Sequence, residues 1–132
     1  MPEYEELEEI RDDELREKLV FGPEIIHRQI IDWCTDETKA LLFGLSTFQA
    51  TLKDGDPLKT AIDAVLADLD WINRKEIEGV KSRFRERRDE IKGKLYDGLW
   101  ESHQHMIDSL AGAERILRRL EEIREKARGL IT

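Results

Sequence analysis

The feature that most constrains the fold is a proline-free run from Leu58 to Thr132, in which apolar residues recur at steps of three and four positions. That spacing lines one side of an α-helix, so the run predicts helices. As a single helix it would be about 110 Å long at the usual rise per residue. Because this is too long for one compact domain, we expect breaks near residue 73 and near residue 111, with 92–98 as a further candidate.

The chain has 132 residues, which is the length of one domain. We predict an all-α fold: a helical bundle of about five helices with long antiparallel helices in the C-terminal half, forming a single domain over 1–132. The helical pattern gives these segments: 3–20, 23–34, 36–53, 57–72, 75–110 and 113–130.

The N-terminal segment, residues 1–20, is strongly acidic, with nine Asp or Glu against three Lys or Arg from position 3 onward. We expect it to form a separate helix that packs peripherally. Gly22 can adopt a left-handed cap and Pro23 cannot continue a helix, so we expect the helix to end here. A second helix then begins at Pro23 and ends before a cap at Thr35 or Asp36.

Residues 36–53 form the most apolar of the predicted helices, with Leu, Phe and Ala pointing in most directions. A helix that is apolar nearly all round is usually buried, so we expect this one at the centre of the bundle. The sequence Asp54-Gly55-Asp56-Pro57 follows it. Gly55 should close the helix, Asp56 should cap the next one, and Pro57 should occupy its first turn.

Composition and charge restrict the classes of function. The net charge of −8 disfavours extensive binding to nucleic acid or an anionic membrane, although a local basic surface remains compatible with it. Cys34 is the only cysteine, so no internal disulfide is expected. The acidic N-terminus does not resemble a signal peptide and no apolar run is long enough for a membrane span, so we expect a cytoplasmic protein. Few Asn, Gln and Cys beside many charged residues is typical of thermophiles.

A basic segment over 74–94 is the first candidate site. It carries nine Lys or Arg against five Asp or Glu, in a chain that is acidic overall. Three interpretations remain open: a solvated face with ion pairs between successive turns, a contact with protein (including the acidic first helix), or a surface for nucleic acid. The nucleic-acid interpretation uses Arg83, Arg85, Arg87, Arg88 and Lys92. Arg88 also interrupts the apolar stripe, where a charge requires a partner.

The second candidate is a possible metal site at Glu101, His105 and Asp108. These residues are spaced by four and three positions, which places their side chains on one face of a helix. Carboxylate and imidazole ligands on helices can hold a metal ion in helical bundles, but such sites need ligands from other helices as well. A solvated polar face explains the same residues.

No catalytic motif, phosphate-binding loop or cofactor motif stands out, so we expect no cofactor and favour a function other than catalysis. The leading prediction is a helical interaction or assembly protein that forms a homo-oligomer, through coiled-coil-like packing, or joins a larger complex. The first alternative is a nucleic-acid-binding helical protein that uses 74–94. The second is a helical metal-binding enzyme that uses Glu101, His105 and Asp108.

Overall fold

The computed structural model describes the backbone of residues 2–92 and 99–132, and the side chains of 22–92, 101 and 103–132. The fold is all-α, and the described residues include no strand. The elements are α1 (Pro2–Gln49), α2 (Pro57–Trp71), a π-helical turn (Ile72–Glu76), α3 (Ile77–Lys92), α4 (Leu99–Asp108) and α5 (Ala111–Ile131). No described helix combines the length and the apolar character that a membrane span requires.

Helix α1 continues through both of the predicted boundaries. The expected end at Gly22–Pro23 is wrong, because Pro23 lies inside the helix and is buried. Packing against the other helices therefore outweighs the cost of about 3 kcal/mol that proline imposes on a helix interior. The expected cap at Thr35 or Asp36 is also wrong: the Thr35 hydroxyl donates to the carbonyl of Ile31, one turn back, and leaves the helix uninterrupted.

The turn between α1 and α2 matches the sequence prediction. Gly55 adopts a positive φ of 87°, a conformation that glycine reaches without steric cost. The Asp56 carboxylate accepts from the backbone N–H of Leu58 at 2.9 Å, and Pro57 opens α2. Gln49 then ties the two helices together through a hydrogen bond to Asp63 at 2.6 Å.

The predicted break near residue 73 is a π-helical turn that joins α2 to α3 without ending the helix. Ile77 N–H donates to the Ile72 carbonyl, five residues back. Buried positions follow steps of three and four from Ile62 to Ile72 and from Ile77 to Phe84, whereas Ile72 and Ile77 are five apart. The wider turn accommodates that extra residue and keeps both segments facing the same core. The break at 109–110 is confirmed within two residues, and 93–98 lie outside the described residues.

The main core lies between α1, α2, α3 and α5. Its buried members are Ile31, Cys34, Leu45, Ile62, Val65, Leu69, Ile72, Ile77, Val80, Ala113, Ile116, Leu120, Ile123 and Ala127. A second, smaller cluster joins α3 to α4 and consists of Phe84, Ile91, Met106 and Leu110. Contacts at the C-terminal end and near the middle of α1, Gln49 with Asp63 and Glu24 with Arg88, show that α2 and α3 run along it in the opposite direction.

The expectation that 36–53 is buried on all sides is wrong. Leu45 and Thr38 face the core, but the Phe43 side chain is 76% exposed. Leu41 and Leu42 are only partly buried. This helix therefore places apolar residues on both a packed side and an open side.

Candidate functional site

The open side of α1 carries large apolar residues that the fold leaves partly or largely uncovered. Ile25, Ile26, Trp33 and Phe43 are exposed in the folded chain. Exposed apolar residues are ordinary when scattered singly, but several of them along one helix indicate a contact surface. Tryptophan is also among the residues that most often dominate the binding energy of interfaces.

One stripe on this side is uncharged and symmetric in spacing. We call it the outer face and define it by Gly22, Ile26, Trp33, Ala40 and Gly44. The steps between successive members are four, seven, seven and four, so the stripe reads the same in either direction from Trp33. A Cβ atom added at Gly22 or at Gly44 would meet nothing within 4 Å, so both backbone positions are open to a second molecule.

The basic residues of α3 lie on both sides of Phe84 and line two separate clefts. Arg83 and Arg87 line a cleft between α3 and the junction of α4 with α5, together with Arg115 and His105. Arg85 and Arg88 line another cleft between α3 and α1, beside His27. Four of the five predicted nucleic-acid residues therefore border two different clefts. Lys92 is exposed at the end of α3.

Ion pairs within the chain engage part of this basic set. The Arg88 guanidinium donates to Glu24 of α1 at 2.5 Å and also contacts Asp89. Arg87 pairs with Glu90, three residues later on α3, at 3.2 Å. Partners of this kind satisfy the charge at Arg88, where the apolar stripe is interrupted. Binding of nucleic acid by 74–94 stays a prediction, and it would have to compete with these pairs.

The predicted metal residues of α4 have protein partners of their own. His105 Nδ1 lies 2.9 Å from Arg87 Nη2. Since arginine can only donate, Nδ1 accepts this hydrogen bond. His105 Nε2 lies 3.8 Å from a Glu101 oxygen, and Asp108 accepts from Gln104. Among the residues whose side chains are described, no group of three or more His, Cys, Asp or Glu is arranged to hold a metal. The metal site stays a prediction.

His27 lies between Ile26 and Arg28, and its position beside an apolar stripe predicts a packed or exposed residue rather than a base. Its ring is buried and stacks on Phe84, with ring centroids 3.8 Å apart and planes 12° from parallel. Its Nε2 atom is buried without a hydrogen-bond partner among the described residues. Burial lowers the pKa of His27 from 6.5 to about 4, against a smaller opposite effect of the Glu24 carboxylate.

Replacing His27 with phenylalanine should make folding less sensitive to acid. Below pH 6.5 the unfolded chain protonates His27, whereas the native chain keeps it neutral until about pH 4, so stability falls as the pH falls through this window. Between about pH 7 and about pH 5, we expect the free energy of unfolding to fall by about 1 kcal/mol more in the native sequence than in His27→Phe. The phenylalanine side chain keeps the ring stack on Phe84. Urea unfolding at both pH values measures the difference. His105→Gln is the control, and an equal loss in native protein and His27→Phe would contradict the assignment.

The sequence alone predicts only part of two features, the cleft that contains Arg115 and the outer face of α1. Arg115 lies far along the chain from 74–94 and joins it only through the folding of α5 against α3. The outer face was visible as the apolar residues of α1, but the pattern alone could not distinguish a core helix from a contact surface.

The comparisons with known proteins add no relative: no protein family, curated protein or solved structure matches the chain.

Proposed function

We propose that the chain is a non-enzymatic assembly protein that forms a homodimer through the outer face of α1. The observation that supports this most strongly is the symmetric stripe centred on Trp33, whose side chain is 38% exposed. In this proposal the helices of each chain form a bundle, and the two bundles are joined along their α1 helices in the cytoplasm.

The spacing of the outer face favours a second copy as its partner. In a twofold symmetric pair, each contact occurs twice, with the two residues exchanged between the chains. If two α1 helices pack antiparallel with their Trp33 residues on the axis, Ile26 lies opposite Ala40 and Gly22 lies opposite Gly44. Large side chains then face small ones, and the glycines allow the helix backbones to approach.

The charges of α1 are compatible with this arrangement. None of the five residues of the outer face is charged, so covering these five side chains removes no ion from water. The rest of the chain carries net negative charge, and two copies therefore repel at long range. Association through an apolar face should accordingly become tighter as salt screens that repulsion.

Disulfide trapping tests both the partner and the direction of packing. Chains with Cys34→Ala carry either Ile26→Cys or Ala40→Cys, and are oxidised separately and as a mixture. The antiparallel pair predicts that the mixture forms many more cross-linked dimers than either variant alone, because positions 26 and 40 face each other. Light scattering of the native chain should give twice the chain mass. A monomer at all concentrations, or cross-linking of Ala40→Cys mainly to itself, would overturn the proposal.

A further inference from the structure

The cleft between α3 and the α4–α5 junction combines a concave shape with a concentration of positive charge. Its volume is about 370 Å³, and Val80, Phe84 and Gly112 provide apolar lining. Three arginines border it, Arg83, Arg87 and Arg115, whereas Asp108 is the single carboxylate among its lining residues. This local excess of positive charge contrasts with the net charge of −8 for the chain.

Two of these arginines keep their donors available. Arg83 and Arg115 have no hydrogen bond or ion pair with another described residue, whereas the partly buried Arg87, Arg88 and Arg119 are all paired. The Arg83 guanidinium lies back along α3 beside Gly79, with Nη1 3.5 Å from the position of a Cβ there. Arg119 lies one turn after Arg115 on α5 and pairs with Glu76. Glu76 lies about one turn before Gly79, the residue beside which the Arg83 guanidinium lies. The two unpaired arginines therefore line the cleft from two helices, Arg83 from α3 and Arg115 from α5.

The third arginine is held in place by the protein. Arg87 donates to Glu90 at 3.2 Å through Nη1 and to His105 Nδ1 at 2.9 Å through Nη2. Such anchoring fixes the plane of the guanidinium before any ligand arrives, which lowers the entropy cost of binding. The Asp108 carboxylate accepts a hydrogen bond from the Gln104 side-chain amide. It therefore already has a hydrogen-bond donor other than the three arginines.

Close packing of the two helices maintains the cleft. A Cβ added at Gly112 would lie 3.4 Å from Val80 Cγ1, at van der Waals contact distance, so the first turn of α5 packs directly against α3. From this point Arg115 is one turn further along α5. The position of its positive charge opposite α3 therefore depends on the rigid helices rather than on a loop, as a preformed site requires.

From these features we infer that this cleft binds the phosphate group of a small phosphorylated metabolite. A phosphate carries several acceptor oxygens around one centre, and arginine donates to such a group in a planar, two-pronged geometry. Guanidinium groups from two helices can approach it from different sides. The apolar lining and the volume of the cleft leave room for an organic group attached to the phosphate.

Isothermal titration calorimetry on the full chain tests this inference, with adenosine monophosphate, inorganic phosphate and a single-stranded oligonucleotide as separate probes at constant ionic strength. We expect saturable binding of the monophosphate, tighter than that of inorganic phosphate. Arg115→Gln should weaken it by about tenfold or more, since a charge-assisted contact is lost. Arg118→Gln makes the same charge change at an exposed position of α5 outside the cleft, and should leave affinity unchanged.

The other outcomes overturn the inference. Absence of saturable binding with both phosphate probes would exclude the site, and an equal loss in Arg115→Gln and Arg118→Gln would show that only net charge matters. Binding of inorganic phosphate as tight as that of the monophosphate would exclude recognition of an organic group. Binding of the oligonucleotide alone would favour a nucleic-acid surface instead. Circular dichroism of each variant confirms that a loss of binding does not reflect unfolding.

Discussion

Replacing Ala40 with glutamate is expected to convert the proposed α1 dimer into a monomer without unfolding the chain. Ala40 is exposed on the outer face, and glutamate is a good helix former, so the isolated chain should tolerate the change. In the antiparallel pair, two new carboxylates would lie against the apolar Ile26 side chains and lose their hydration. Because burial of an unpaired charge is strongly unfavourable, we expect the dissociation constant to rise by about a hundredfold or more.

The matched control is Ala64→Glu, which makes the same substitution at an exposed position of α2 outside the outer face. Sedimentation equilibrium over a range of concentrations measures both dissociation constants. A companion pair compares Trp33→Ala with Trp71→Ala, since Trp71 is 53% exposed but belongs to α2. Equal weakening by the two glutamate substitutions would show that general repulsion, and not the outer face, controls association.

The local signals in the sequence predicted local structure well. The Asp54–Pro57 turn follows from residues whose preferences act over a few positions: Gly55 permits the positive φ and Asp56 caps the following helix. The helical periodicity of 58–132 likewise predicted the positions of Val65, Phe84 and Leu120, all of which are buried. These predictions required no knowledge of how the helices are arranged.

The errors arose where distant contacts decide the outcome. Pro23 is a strong local signal for a helix end, but it is buried inside α1, where packing with the rest of the chain overrides it. Phe43 is apolar, yet the fold leaves it in solvent because the other helices pack on the opposite side of α1. Composition shows that a residue is apolar, but it does not show which surface will cover it.

The candidate clefts show the same division between local and distant information. The excess of arginine in 74–94 was evident from the sequence, but its separation into two clefts depends on which helix packs against each side of Phe84. The partner of Arg88 is Glu24, which lies 64 residues earlier in the chain. The periodicity indicated that Arg88 needs a partner, but identifying it required the three-dimensional arrangement of α1 and α3.

The π-helical turn gives the second large expected effect, which is a contrast between two deletions. Deleting Lys75, an exposed residue of the turn, should leave the fold intact. The hydrogen bond from Ile77 to Ile72 now spans five residues. After the deletion the same two groups are four residues apart, as in an ordinary α-helix. The buried faces of α2 and α3 remain aligned, so we expect the free energy of unfolding to change by about 1 kcal/mol or less.

Deleting Ser82, which is also exposed, should have the opposite result. No wider turn exists at this point of α3 to absorb the loss, and every later residue rotates by about 100° around the helix axis. Phe84 and Ile91 then leave the cluster that they form with Met106 and Leu110. Loss of their burial should cost at least about 3 kcal/mol.

Urea unfolding of both deletions in the Ala40→Glu background measures the two effects without a contribution from association. A similar large loss of stability in both deletions would mean that the π-helical turn is itself required by the fold. The expected contrast would instead show that the turn is one added residue, accommodated within a continuous helix. The step of five between Ile72 and Ile77 is therefore the sequence signal for the turn, since a step of three or four would have predicted an unbroken α-helix.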